Sequence, residues 1–254
     1  MKNYLIDLDG TIYRGDVPVE FAEEFVEYLN KNKRKYLFVT NCPYNSPESI
    51  MHKLRNMGIK TAAERILNSG EACADYLKRF HDGKRVYVIG SESFNKQIVD
   101  AKMIVVDDFP DIVAVGYDKE FNYRKLDLAS RFIRKGAVFV ATNTDDVIPS
   151  GSDFVPHTGA ILSAVAKASG REPLIIGKPE KFMLETAVRK LFCAKEDCVV
   201  IGDRIDTDIA FAVKNKIPGY LVLTGITDRK QIESSSIRPD RIFNNLKEIE
   251  QFEK

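Results

Sequence analysis

The chain has 254 residues, 44% of them hydrophobic, enough apolar material for one large domain or two modest ones. Its 38 Lys and Arg against 37 Asp and Glu leave a formal net charge of +1, so no global field gathers nucleic acid or an anionic membrane. No apolar run approaches the roughly 18 residues that span a bilayer. The four cysteines, Cys42, Cys73, Cys193 and Cys198, show neither CxxC pairing nor matched histidines; isolated reduced thiols are expected rather than a structural zinc site. An apolar strand that starts within a few residues of the first leaves no room for a signal peptide, and the expectation is a cytoplasmic protein.

The predicted elements alternate between strand and helix. Residues 4–9, YLIDLD, read as a buried strand. Val19, Phe21, Ala22, Phe25, Val26 and Leu29 recur at helical spacing over 19–32. KYLFVTN (35–41) is a second strand, followed by a helix opened by Ser46 and Pro47 and closed near Gly58. RVYVIG (85–90), IVAVG (112–116), AVFVATN (137–143), EPLIIG (172–177), DCVVIGD (197–203) and GYLVLTG (219–225) continue the pattern. Such alternation predicts an α/β protein with parallel sheets covered on both faces. The strand count is more comfortable as two sheets than as one.

In open parallel sheets, ligands bind beyond the carboxyl ends of the strands, and what the runs deliver there is chemically coherent. The first ends in Asp7 and Asp9, then Gly10 and Thr11; on a strand, residues two apart face one side. The second ends in Thr40 and Asn41, the LIIGKP run in Lys178, and the CVVIGDRIDTD run in Asp203, Asp206 and Asp208. Two carboxylates on one face repel unless a cation lies between them. Phosphoryl transfer uses this inventory, since charge on the phosphate oxygens must be neutralised and nucleophile and leaving group held in line. Mg2+ on Asp7 and Asp203 would bridge protein and phosphate. Lys178, Thr40, Asn41 and the backbone N–H groups after Asp9, beginning with Gly10, would hold the phosphate. Asp7 is placed to attack phosphorus, and Asp9 to protonate the leaving oxygen and later activate water.

DLDGT, VTN, GKP and GDRIDTD, in this order, resemble the four motifs of the haloacid dehalogenase (HAD) superfamily of phosphatases. Between Asn41 and Lys178 lie 136 residues (178 − 41 − 1), and a long insertion there resembles the NagD-like, 4-nitrophenylphosphatase-like branch. NSGEA (68–72), VGYDKEFNY (115–123), ATNTD (141–145) and FVPHTGA (154–160) are similar to strings of that branch. The resemblance implies a Rossmann-like parallel-sheet core over residues 1–70 and 178–254, and an α/β cap over 71–177 that sets specificity. It further implies that the Asp9 backbone carbonyl joins Asp7 and Asp203 on the metal, with Asp208 supporting it from behind. Asp206 has no role in the pattern and reads as a solvated acid. Cys42 replaces the second Asn of many relatives in a loop that faces the leaving group, so it is expected to influence substrate choice. Asp118, Asn143, Asp145 and His157 are cap candidates for contacts to the leaving group.

The substrate expected is a small phosphate monoester: a sugar phosphate, nucleotide, phosphoglycolate or pyridoxal phosphate. No nucleic-acid or membrane partner is implied; a homodimer through the cap stays open. So do a phosphotransferase or phosphomutase with the same intermediate, and a non-catalytic phosphometabolite-binding protein. A phospho-receiver domain shares the Asp, Thr, Lys and magnesium but is far shorter and carries no lid.

Overall fold

The computed structural model describes residues 2–150 and 153–253. Met1, Gly151, Ser152 and Lys254, which the expected domain bounds include, lie outside the described residues. Two parallel sheets organise the chain. The first has six strands in the order Arg241–Phe243, Gly219–Val222, Cys198–Gly202, Asn3–Ile6, Tyr36–Thr40, Ile66–Asn68. Its central strands are buried along their whole length, which is why they read as unbroken apolar runs. Ile6 lies opposite Ile201 on one side and Phe38 on the other. Tyr4, Ile6, Phe38 and Ile201 pack into one core with Phe25 and Leu29 from the helix Ala22–Lys31.

The second sheet has five strands in the order Leu174–Ile175, Val138–Ala141, Ile112–Val115, Arg85–Ile89, Ile104–Val105, all parallel. Val113, Val115 and Ala141 share a core with Ile133 of the helix Tyr123–Arg134 and Val165 of the helix Thr158–Ser169. Among the described residues no helix is long and apolar enough to cross a membrane.

Contacts divide the chain into two compact units. One comprises Met1–Thr40, Pro47–Leu67 and Lys178–Lys254, the other Asn41–Ser46 and Asn68–Gly177. The short segment Asn41–Ser46 joins the second unit through its main chain. The Asn41 carbonyl accepts from Ser69 Oγ and from Asn143 Nδ2 (2.7 Å). Tyr44 O accepts from Ser91 Oγ at 3.1 Å, and Asn45 O from Asn68 Nδ2 at 2.7 Å.

Several local expectations are corrected. The first strand stops at Ile6, so Asp7 and Asp9 are not two residues of one strand face. Asp7 N continues the ladder by donating to Ile201 O (2.8 Å), after which the chain turns over the Leu8 carbonyl, which accepts from Ile12 N (2.8 Å). The helix expected from residue 19 begins at Ala22, because Phe21 holds a left-handed conformation, φ 65°. Of the EPLIIG run only Leu174–Ile175 pairs, and it pairs with Val138–Ala141 in the five-stranded sheet. Lys178 is therefore not the end of a strand in the sheet that carries Asp7 and Asp203. Nor are all the thiols isolated: the Cys193 and Cys198 sulfurs lie 3.6 Å apart.

Candidate active site

Asp7 and Asp203 directly follow the strands Asn3–Ile6 and Cys198–Gly202, and Thr40 ends Tyr36–Thr40, so the three stand at neighbouring strand ends. Asp208 follows in the wide helical turn Ile205–Ile209. One carboxylate oxygen from each of Asp7, Asp203 and Asp208 lies within 4.8 Å of the other two. Lys178 is buried among them. Its Nζ donates to Asp7 Oδ1 (2.6 Å), Asp208 Oδ1 (2.7 Å) and the Val39 carbonyl (3.0 Å). The second oxygen of Asp208 accepts from Arg204 N at 3.1 Å, and Asp203 Oδ2 accepts from Ile226 N at 2.9 Å.

Space around Asp203 is made by glycine. A Cβ on Gly10 would stand 2.4 Å from Asp203 Oδ2, and one on Gly225 only 1.7 Å away. Gly10 also has φ 85°, where a side chain is strained. The Gly10 N–H is already committed to Tyr13 O (2.7 Å). What Gly10 contributes is therefore room for a carboxylate rather than an N–H donor of its own. Its carbonyl accepts from Thr224 Oγ1 at 2.8 Å, and Arg14 Nε donates to Thr224 O at 2.5 Å, so the loop after Asp7 is tied to the loop after Gly219–Val222. Asp9 is exposed, with the Tyr13 hydroxyl donating to Oδ2 at 3.4 Å and Lys53 Nζ lying over the Tyr13 ring at 4.2 Å.

The electrostatics are lopsided. Burial, reinforced by the charge of Asp208, holds the Asp7 carboxyl well above its usual value despite the Lys178 ammonium beside it. Burial and then Asp208 push Asp203 up to about 7. Burial works to lower Lys178, but Asp208 and Asp7 outweigh it and keep the ammonium charged. Three clustered carboxylates thus face one ammonium. An all-oxygen donor set with surplus negative charge, and with side-chain volume withheld at Gly10 and Gly225, fits a hard divalent cation.

The other residues singled out in the sequence separate by unit. Thr40 is buried at the end of its strand, and Asp206 points outward in a two-bond pair with Arg204 (3.0 and 2.7 Å). Asn41, Cys42, Asp118, Asn143, Asp145 and His157 all belong to the second unit. There Asp118 is buried, accepting from Glu120 N (2.8 Å) and from Lys125 Nζ (2.7 Å). Asn143 donates to Thr158 Oγ1 (3.2 Å) as well as to Asn41 O, and accepts from Asp145 N (3.0 Å). The Asp145 carbonyl accepts from Gly159 N at 2.8 Å. His157 is fully buried against the Tyr117 ring, centroids 4.5 Å apart, and Tyr117 packs on Tyr44 at 5.4 Å. Asp118, His157, Tyr117, Lys119 and Phe121 line a cavity of about 370 Å³.

Sequence reasoning named Thr11 after the first strand but gave it no partner; it is fully buried with its hydroxyl 3.4 Å from Asp203 Oδ1, and the Thr224–Gly225 pair was missed as part of the site. Thr224 and Gly225 stand in the loop after an apolar run, the same signal that singled out Asp7 and Asp203.

Comparison with known proteins accords with this geometry. The pattern of the family described as haloacid dehalogenase-like hydrolase matches residues 4–103, and that described as HAD-hydrolase-like matches 175–249. The acid sugar phosphatase of Staphylococcus saprophyticus is 37% identical over 249 residues, covering 98% of this chain and 96% of its own. The chain belongs to the haloacid dehalogenase-like hydrolases. Among solved structures, a 4-nitrophenylphosphatase from Thermotoga maritima superposes with TM-score 0.94 and 31% identity, over 99% of this chain and 97% of its own. NagD from Escherichia coli K-12 does so with TM-score 0.91 and 30% identity, over 97% of both chains. Within the haloacid dehalogenase-like hydrolases, the chain falls among the phosphatases of the NagD-like branch.

Proposed function

We propose that this haloacid dehalogenase-like phosphatase is a magnesium-dependent phosphomonoesterase that hydrolyses small phosphorylated metabolites through a phosphorylated Asp7. The observation that carries the reading is the way Asp7 is held. Lys178 fixes Oδ1 at 2.6 Å, and Asp208 fixes Lys178 at 2.7 Å, which leaves Asp7 Oδ2 as the attacking oxygen. Asp7 and Asp203, with the Asp9 backbone carbonyl, are the groups proposed to hold Mg2+, and Asp208 supports them by positioning Lys178. When bound, the ion neutralises charge on the phosphate oxygens.

In the first step Asp7 Oδ2 forms a bond to phosphorus as the ester P–O bond breaks, and Asp9 gives its proton to the departing alkoxide. Water then loses a proton to the Asp9 carboxylate and attacks phosphorus, releasing inorganic phosphate and restoring Asp7. Lys178, Thr40 and Asn41 hold the phosphoryl group through its charge changes. The second unit is proposed to carry substrate selectivity, with Cys42, Asp118 and His157 as its reading groups; Asn143 and Asp145 act through the backbone they brace. Relatives named acid sugar phosphatases direct the substrate search to sugar phosphates first. Cysteines outside disulfides suit a cytoplasmic setting.

The test is phosphate release from a panel of sugar phosphates, nucleotides and 4-nitrophenyl phosphate, with Mg2+ or EDTA. Release should need Mg2+, and Asp7→Asn should lower it by roughly 10³-fold or more. Asp9→Asn should lose about 10²–10⁴-fold yet still retain labelled phosphate on Asp7. Turnover surviving Asp7→Asn, or no release from any ester by folded, magnesium-loaded protein, would sink the proposal.

A further inference from the structure

The catalytic reading gives no role to Cys193 and Cys198. The helix Lys181–Leu191 ends at Phe192, in the left-handed conformation (φ 50°), and Cys193 N donates back to Val188 O at 3.1 Å. A single tight turn, Lys195–Asp197, follows, and Cys198 opens the strand whose far end delivers Asp203. Both ends of this connection are anchored, because Cys198 lies in register with Asn3 of the neighbouring strand. The turn folds the two thiols together, sulfur to sulfur at 3.6 Å, with the Cys198 thiol also directed at the Ala194 carbonyl (3.6 Å). Cys193 is half-buried and Cys198 buried.

We infer that Cys193 and Cys198 form a reversible intrachain disulfide in the folded protein, made by exchange with a small-molecule disulfide such as oxidised glutathione. The geometry selects the order of events. Cys193, the accessible sulfur, attacks the small disulfide as a thiolate; the S–S bond of the reagent breaks, one thiol departs and a mixed disulfide remains on Cys193. Cys198 then loses its proton to solvent and attacks the Cys193 sulfur, expelling the second thiol. Two protein thiols become one disulfide while the reagent is reduced to two thiols. Burial pushes the Cys198 thiol up to about 12, so the closing step accelerates with rising pH, as thiolate chemistry requires. The staple joins the end of the Lys181–Leu191 helix to the start of the Cys198–Gly202 strand. It lies at the opposite end of that strand from Asp203, so it is expected to act on stability rather than on the reaction.

Trypsin makes the test direct, because Lys195 lies between the two cysteines. Full-length protein is incubated with oxidised glutathione well below its melting temperature, alkylated, and digested without reductant. The expected product is Leu191–Lys195 joined to Glu196–Arg204, separated by reductant. The oxidised protein should melt on the order of 5 °C higher, for a loop of this size, and return to the starting value on reduction. Cys193→Ser and Cys198→Ala should each show neither the linked peptides nor the shift, with phosphate release unchanged. Separate alkylated peptides, a glutathionyl group that stays on Cys193, or linked peptides formed only where the protein unfolds would each overturn the inference.

Discussion

Replacing Asp203 with asparagine is expected to stabilise the protein in EDTA at mildly alkaline pH, although the same change weakens its hold on a divalent cation. The Asp203 carboxyl is pushed from 3.8 to about 7, first by burial and then by the charge of Asp208. The folded protein therefore keeps a proton that the unfolded chain has already released. Stability must fall as pH rises from about 4 to about 7 and level off beyond, because the folded state binds more protons across that window. A gap of about three units corresponds to about 4 kcal/mol, an upper value because neighbouring groups relax around the charge. Asparagine has nothing to titrate, and one of its atoms can still accept from Ile226 N, the partner held at 2.9 Å. The variant should thus melt on the order of 10 °C above wild type near pH 8 in EDTA, and about level with it near pH 4. With excess Mg2+ the gap should shrink or reverse, since only wild type gains fully from the bound ion. Circular-dichroism melts at both pH values, with EDTA and with Mg2+, read all the arms. A variant no more stable than wild type near pH 8, or a gap independent of pH, would refute the electrostatic account.

Three further outcomes follow from packing. Gly225→Ala would place a Cβ 1.7 Å from Asp203 Oδ2, so the carboxylate must move. Phosphate release should fall by roughly 10²-fold, with a higher Mg2+ requirement on titration; unchanged titration curves would contradict the tight fit. Burial pushes the Cys73 thiol up to about 12, so the unfolded chain ionises there first and stability drains away above about pH 8.5, by about 1.4 kcal/mol per unit. Cys73→Val should lose less stability than wild type between about pH 8 and pH 10 in urea titrations; equal losses would show that the thiol does not titrate differently on unfolding. Asn143→Ala removes the donor to Asn41 O, in a buried setting, and the acceptor for Asp145 N, in a part-buried one. It should cost about 1–3 kcal/mol, and a urea midpoint unmoved from wild type would exclude that bracing role.

The strands that sequence located most securely are those buried on both faces. YLI, YLFVT, IVAV and CVVIG are continuous apolar runs, and each became a central strand. Ile66–Asn68, Ile104–Val105 and Arg241–Phe243 escaped notice because two or three residues carry no period. Asp7 and Asp203 were singled out because each carboxylate stands directly after an apolar run, whereas Asp208 lies in the helical turn Ile205–Ile209 and Lys178 follows a strand of the other sheet. Their supports were not legible. Thr11 and Gly225 matter through where the Asp203 carboxylate ends up, and the Cys193–Cys198 approach through one tight turn, neither of which has a signature in spacing. The cap candidates show the opposite limit: Asp118 and Asn143 lie in the loops after Ile112–Val115 and Val138–Ala141, and their side chains are engaged in local hydrogen bonds that sequence does not display.

Lys178 shows how the site draws on the order of strands and not only on motif order. Asn3–Ile6 lies between Cys198–Gly202 and Tyr36–Thr40, with Ile6 level with Ile201 and with Phe38. Neighbouring strands are about 4.8 Å apart, so the residues that follow them reach one another without any contribution from their own loops. That spacing brings Asp7 and Asp203 together, and it brings together charges that repel. Lys178 comes from outside this ladder, after a strand paired in the other sheet, and its ammonium enters between Asp7 and Asp208. Burial, and after it the charge of Asp208, holds the Asp7 and Asp203 carboxyls above the usual carboxylate range, and the buried ammonium offsets only part of this. An uncharged replacement at Asp203 would make the protein easier to fold in EDTA. Retaining the carboxylate is the less stable choice in a metal-free chain, and under the proposed function it becomes favourable where a cation and a phosphate complete the charge balance.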